Sequence, residues 1–261
     1  MEEFLQHTKT RLARSKHLDK VHVVLGKKSS DLDSLIAALA YAYYLEKVSP
    51  PNILCLPLLN IPRREFYFHT ETRFILEELN IPESLHTFRD EIDLYQLNNE
   101  GKLSLTLLSS SALMSEDKSL ESAVVRVINT EEQWDDGDPE LAESSSFLVA
   151  KQLLQEAPEL ITQQLAHLLR GSILFLAMDP ENITGEQKEV LSNLEEKFPE
   201  LLPRKEIIAV LQEAQFHADE LKIEEAMRKD LKEISDGEIK VAVSTVYMNL
   251  EVRRNQHEMG F

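Results

Sequence analysis

The chain has 261 residues, and its 28 lysines and arginines against 46 aspartates and glutamates leave a formal net charge of −18. Hydrophobic residues make up 43% and charged residues 28%, which is ordinary for a folded chain and excludes a wholly disordered one. So negative a balance argues against counterion-releasing contact with nucleic-acid phosphate and against a polybasic membrane patch. At this length one large domain, or two smaller ones, can bury a core.

Cys55 is the only cysteine, so neither an intrachain disulfide nor a thiolate metal cluster can form. A reducing compartment is the corresponding expectation. The start, Met1-Glu2-Glu3-Phe4, is acidic and lacks the apolar stretch of a signal peptide. The apolar runs Leu35 to Leu45 and Leu168 to Met178 are too short to span a bilayer, and Arg170 interrupts the second. A soluble, cytoplasmic protein without a membrane span is expected.

In chain order, Lys20 to Leu25 reads as a buried strand ended by Gly26. Asp31 and Ser34 then supply caps ahead of an Ala- and Leu-rich helix running to Val48. Pro50-Pro51 breaks that helix, and Asn52 to Leu58 is a second apolar strand. Helical segments are expected at 67–80 and 91–98, and further strands at 103–108 and 123–128. From Ser144 the pattern turns helical, at 147–157 and 159–178, with Pro158 between them. Residues 179–185 are turn-rich and form the candidate linker. Helices at 185–197 and 205–217 follow, then a strand from Ile239 to Met248. Residues 131–150 hold seven acids and no lysine or arginine.

Strands alternating with helices imply crossover connections and a mostly parallel sheet, hence an α/β fold. Ligands on such sheets sit beyond the carboxyl ends of the strands. In this chain those places are Lys27–Asp33, the segment after Leu108, and Asn129–Glu131.

The residues in the first of these places, Val23-Val24-Leu25-Gly26 … Asp31-Leu32-Asp33-Ser34, resemble the first motif of the DHH phosphoesterase superfamily. Further matches are Leu59 to Arg63, Ile81 to Ser84, Phe88 to Leu94, Ala166 to Gly171, Met227 to Asp230 and Lys240 to Glu251. Together they make the chain similar to the prune family of pyrophosphatase- and exopolyphosphatase-like proteins. The resemblance implies a parallel-sheet DHH domain over residues 1–180, followed by a partial α/β DHHA2 domain over 181–261. After Glu251 the sequence no longer matches the family, so a divergent tail and a truncated second domain are expected. In the family, two divalent cations clamp a phosphoryl group and generate a hydroxide nucleophile.

Such chemistry needs a dense set of carboxylate and imidazole ligands, since paired dications repel unless several anions offset them. Aligned on the family, Asp31 and Asp33 are retained as vestigial metal ligands. Lys27 stands where a His or Asn is usual, and Ser109-Ser110-Ser111 replaces Asp-His-His. Asn129-Thr130-Glu131 replaces Asp-His-Arg, and Leu176 falls where a late metal-binding Asp belongs, with Asp179 three residues on. A serine hydroxyl is a weak neutral ligand, and two carboxylates on one short loop cannot hold two dications. The expectation is a pseudoenzyme without a resident cofactor, manganese or magnesium being the ions concerned were activity retained.

Plainer roles compete for the same residues. Asp31 and Ser34 can simply cap a helix. Asp33 can pair at the surface with Lys27 or Lys28. His22 fits a packed strand residue, and Trp134 fits either a partner's anchor or a half-buried core residue. By resemblance, Arg228, Lys229 and Lys232 match a phosphate clamp, and so imply weak binding of pyrophosphate or polyphosphate without hydrolysis; a solvated helix end is the rival. Protein partners are expected, and a role around differentiation, survival and migration is implied by the resemblance alone.

Overall fold

The computed structural model describes residues 1–14, 18–27, 31–108, 113, 115–128, 144–216, 231–235 and 240–244. Five strands form one wholly parallel sheet: β1 (Lys20–Leu25), β2 (Ile53–Leu59), β3 (Thr87–Phe88), β4 (Leu103–Leu108) and β5 (Val124–Ile128), in the spatial order β3-β2-β1-β4-β5. Parallel strands need crossovers, and helices supply them: α2 (Leu32–Val48), α3 (Thr70–Glu78) and α4 (Leu94–Asn99). An N-terminal helix α1 (Glu2–Leu12) precedes the sheet. Helices α5 (Ser145–Glu156), α6 (Gln163–Ala177), α7 (Gly185–Lys197) and α8 (Arg204–Phe216) follow it.

Alternation along β1 sorts the two faces. Val21, Val23 and Leu25 join Leu54, Leu56, Leu58, Leu103, Leu105 and Leu107 in one cluster, closed by Leu94 of α4 and by Leu120. Val24, Leu59, Leu108 and Ile128 belong to the larger cluster on the opposite face, with residues of α1, α2, α3 and α5 to α8. There α2 is enclosed: every residue from Leu32 to Ala42 is buried. A helix apolar all round belongs inside, and the small side chains of Ala37, Ala38, Ala40 and Ala42 leave room for its neighbours.

Helices α7 and α8 share this core through Val190, Leu191, Leu194, Ile207, Ile208 and Leu211. The buried Arg170 of α6 donates from Nε to Glu195 Oε1 of α7 at 2.6 Å, and Glu195 also receives Arg204 of α8, Nη2 to Oε2 at 2.8 Å. One carboxylate thus ties three helices together.

Three of the expected helices begin later than the sequence pattern suggests, α4 among them, at Leu94 after a 3-10 turn over Arg89–Glu91. Residues Arg63–Phe68 form a 3-10 turn, and α3 starts only at Thr70. Likewise Pro158–Leu160 is 3-10, and α6 begins after its Thr162 cap. Short strand β3 and helix α1 had no reading in the sequence pattern. In α1, Phe4, Leu5 and Thr8 are buried at helical spacing, with Glu2 and Glu3 in the first turn and Lys9 and Arg11 in the last.

Edge strand β5 departs from regular pairing. Leu105 lies opposite Val124, but Thr106 lies opposite Arg126, so Val125 is an extra, exposed residue. A bulge and a charge on an open edge both discourage pairing with another chain. Strands β6 (Leu231–Ser235) and β7 (Lys240–Ser244) form a separate antiparallel pair, in which Lys232 lies opposite Val243. Lys232 therefore sits on a strand, correcting the helix-end reading, because the pairing runs through Leu231–Ser235.

Candidate functional site

Parallel register brings the carboxyl ends of the strands together: Leu25 lies beside Leu58 and Leu107, and Leu108 beside Ile128. The chain leaving β1 turns at Gly26 into α2. An added Cβ at Gly26 would lie 2.8 Å from Ser34 Cβ and 3.1 Å from the Ser34 carbonyl oxygen, so the close approach of strand and helix requires glycine. Asn60, at the end of β2, donates from Nδ2 to the Gly26 carbonyl at 3.2 Å.

Asp31 is the N-cap of α2. Its Oδ1 accepts from the Ser34 backbone N–H at 2.7 Å and from the Ser34 hydroxyl at 2.5 Å. The capping role expected for this pair is the one observed.

Asp33 is not a surface residue, as the surface reading had it. It is buried in the first turn of α2, and its carboxylate faces the N-terminus of α5. Oδ1 accepts the Ser144 hydroxyl, the Ser146 backbone N–H at 3.1 Å and the Ser172 hydroxyl of α6 at 3.1 Å. Oδ2 accepts the Ser145 backbone N–H at 2.7 Å. Ser146 closes the cluster, its hydroxyl 3.1 Å from the Asp33 carbonyl and 2.9 Å from the Ser172 hydroxyl. Two of the orphan N–H groups at the start of α5 are thereby satisfied by Asp33, and a third, that of Phe147, by Ser144 Oγ at 3.1 Å. Burial pushes the Asp33 carboxyl above the usual carboxylate range and the neighbouring Asp31 adds to this; the bonds from Ser144, Ser146 and Ser145 oppose both.

Sequence reasoning missed Ser145, Ser146 and Ser172, and marked Ser144 only as the start of the helical half. A serine run ahead of a helical pattern does signal an N-cap. That an aspartate 111 residues earlier completes the cap has no local signal.

Elsewhere the candidate positions scatter. Leu176 and Asp179 are exposed near the end of α6. Asp179 accepts the Glu181 backbone N–H at 2.9 Å, capping a 3-10 turn over Pro180–Asn182. His22 stays in the sheet, its Nε2 2.8 Å from Thr106 Oγ1, and burial lowers its pKa. Ser109, Ser110, Ser111, residues 129–131, Trp134, Lys28, Arg228 and Lys229 lie outside the described residues. The stretches Leu59–Arg63, Ile81–Ser84 and Phe88–Leu94 meet at one side chain, Arg63, which bonds Glu83, Glu91 and the His86 carbonyl.

Among the described residues, those at Asp33 do not fit a divalent cation. Its oxygens face N–H and O–H hydrogens, where a metal shell needs lone pairs, and the partial positive charge of the α5 terminus already offsets the carboxylate. Among the described residues no three His, Cys, Asp or Glu side chains converge as a metal-holding group. Among the described residues no helix is long and apolar enough to cross a membrane.

Comparison with known proteins identifies the relatives. No family model matches the chain. It is 67% identical to mouse protein prune homolog 2 over 253 residues, which is 96% of this chain and 8% of that protein. It is 41% identical to rat exopolyphosphatase PRUNE1 over 261 residues, 96% of this chain and 57% of that protein. The chain thus spans little more than half of PRUNE1 and a small part of prune homolog 2. A Methanococcus jannaschii protein assigned as a family II inorganic pyrophosphatase has a similar fold, with TM-score 0.62, 21% identity, and coverage of 91% of this chain and 76% of that one. Sequence and fold agree: over 96% of its length the chain is a close homologue of prune homolog 2, on an α/β fold similar to that of a family II inorganic pyrophosphatase.

Proposed function

We propose that this chain is a non-hydrolytic prune-type module that acts by binding, in the cytoplasm, to protein partners. The observation carrying the reading is the engagement of Asp33: the retained acid of the first DHH motif accepts four hydrogen bonds from Ser144, Ser145, Ser146 and Ser172. The sequence supports it independently, because Ser109-Ser110-Ser111 stands where the family has Asp-His-His, and a serine hydroxyl is a poor ligand for a dication. Arg228, Lys229 and Lys232 are proposed to retain weak affinity for pyrophosphate or short polyphosphate.

Turnover decides the matter. With manganese or magnesium supplied, the chain is expected to release no phosphate from pyrophosphate or tripolyphosphate. Turnover that disappears in Asp31→Asn, a change that keeps the helix cap, would establish the opposite. That second reading, a metal-dependent phosphoanhydride hydrolase using Asp31, Asp33 and Asp179, is favoured by the similarity to rat exopolyphosphatase PRUNE1. Calorimetric titration with pyrophosphate, repeated on an Arg228→Ala/Lys229→Ala/Lys232→Ala variant, tests the clamp.

The division at residue 180 belongs to the same proposal. Since α6, α7 and α8 share one apolar core, proteolysis between 179 and 185 is expected to give fragments that stay associated under native conditions.

A further inference from the structure

Asp33 stands at the start of two helices at once. It occupies the first turn of α2, and its carboxylate receives the first two amides of α5. The free N–H groups and macrodipole of each helix place partial positive charge at its start, so two such ends favour an anion between them and repel a cation. The third component is Ser172, whose hydroxyl brings α6 to the same oxygen that Ser144 and Ser146 use. Nothing in this arrangement calls for a ligand from outside the chain.

We infer that the Asp33–Ser144–Ser146–Ser172 cluster is a built-in replacement for a metal ion, a structural tie that joins α2 to α5 and α6 and makes the fold independent of divalent cations. The inference builds on the non-hydrolytic reading and deepens it: the retained aspartate is kept for folding. Asp33 is thus a positioning residue for α5. At Oδ1 a cation and the tie exclude each other, since a metal there would have to displace both hydroxyls and the Ser146 amide. Removing the acceptor would leave two N–H groups and two hydroxyls facing one another in a buried space.

The experiment is thermal melting of the whole chain together with amide hydrogen exchange over residues 144–147, with millimolar Mn2+ or with EDTA. The wild-type melting temperature is expected to be the same in both. Asp33→Asn replaces one acceptor oxygen by a donor and is expected to melt roughly 5–10 °C lower. The Ser145 and Ser146 amides should then exchange at least about tenfold faster. Ser144→Ala and Ser172→Ala each leave the aspartate in place and are expected to give smaller losses that combine non-additively with Asp33→Asn. Should Asp33→Asn not fold, Ser144→Ala and Ser172→Ala, alone and together, carry the test through their own coupling. A wild-type melting temperature that rises with Mn2+ overturns the inference, as do serine variants that melt with the wild type or combine additively. Phosphate release is a separate readout, so the non-hydrolytic reading can fail while the tie stands, and the reverse.

Discussion

The guanidinium of Arg63 holds the carboxylate of Glu91 through two hydrogen bonds, Nε to Oε1 at 2.6 Å and Nη2 to Oε2 at 3.1 Å. The same group stacks over Phe88, 4.2 Å from the ring centroid, and bonds Glu83 Oε1 at 2.9 Å and the His86 carbonyl at 3.1 Å. A planar fork is needed for all of these at once, and an ammonium cannot provide it. Arg63→Lys is therefore expected to lower stability by about 1–3 kcal/mol, read from urea unfolding. Exposed Arg64 beside it serves as the control: Arg64→Lys should stay within about 0.5 kcal/mol. Equal effects of the two substitutions would refute the hub.

Arg170 presents the opposite asymmetry. Its side chain is 3% exposed, while its partner Glu195 is 28% exposed and shared with Arg204. Burial pushes the Glu195 pKa up, but the bonds and charges of Arg204 and Arg170 outweigh it and hold the carboxyl below the usual range. Removing the acid strands a buried cation. Glu195→Ala is expected to cost about 3–5 kcal/mol, and Glu195→Ala/Arg170→Met to be more stable than Glu195→Ala alone. Denaturant melts of both variants check the order.

Two glycines meet neighbours at the same distance but differ in what can yield. At Gly26 an added Cβ would be 2.8 Å from Ser34 Cβ, with the Ser34 carbonyl oxygen at 3.1 Å behind it. At Gly171 it would be 2.8 Å from Ile75 Cδ1, the tip of a flexible side chain. Gly26→Ala should thus destabilise by about 1–3 kcal/mol, and Gly171→Ala by less. Ile75→Val should recover part of the Gly171→Ala loss and none of the Gly26→Ala loss. Melting temperatures of the four variants test the ranking.

His86 gives the fold a pH dependence of predictable sign. Burial pushes its pKa down to about 4, with Arg63 and Lys9 adding like charge, and no hydrogen-bond partner among the described residues meets its Nε2. An unfolded histidine titrates near 6.5, so between those values the unfolded chain binds a proton that the folded chain refuses. The contribution is complete above about pH 6.5 and is lost as pH falls toward 4, by at most roughly 3 kcal/mol. Urea unfolding across this window should show His86→Gln flatter than wild type by nearly one proton; parallel curves would count against it.

Much of the fold could be read in advance because its determinants are local. The strand Lys20–Leu25, the Asp31 cap and the helix to Val48 each follow from neighbouring residues, and each appears where expected. The alternation of strands and helices was legible as well, and it led to the parallel α/β sheet that is observed. What escaped was set at a distance. The late start of α3 reflects a His69 backbone at φ −87° and ψ 67°, outside the helical region. Strand β3 has two residues and exists through pairing with Leu58 and Leu59. Asp33 looked solvent-facing because nothing within a few residues of it marks the serines of α5. Its true surroundings come from Ser144 and Ser172, far along the chain.

That separation orders events during folding. The bonds from Asp33 span 111 residues to Ser144 and 139 to Ser172, so closing them carries a larger entropic cost than closing the β1–β2 pairing nearby. While the chain is being synthesised, Asp33 must wait as a hydrated carboxylate until more than half of the sequence has emerged. The sheet strands can pair first, and desolvation of Asp33 comes only when α5 and α6 dock. Seen this way the serine cluster is a completion step, formed late and only by a chain whose helical half has arrived in place.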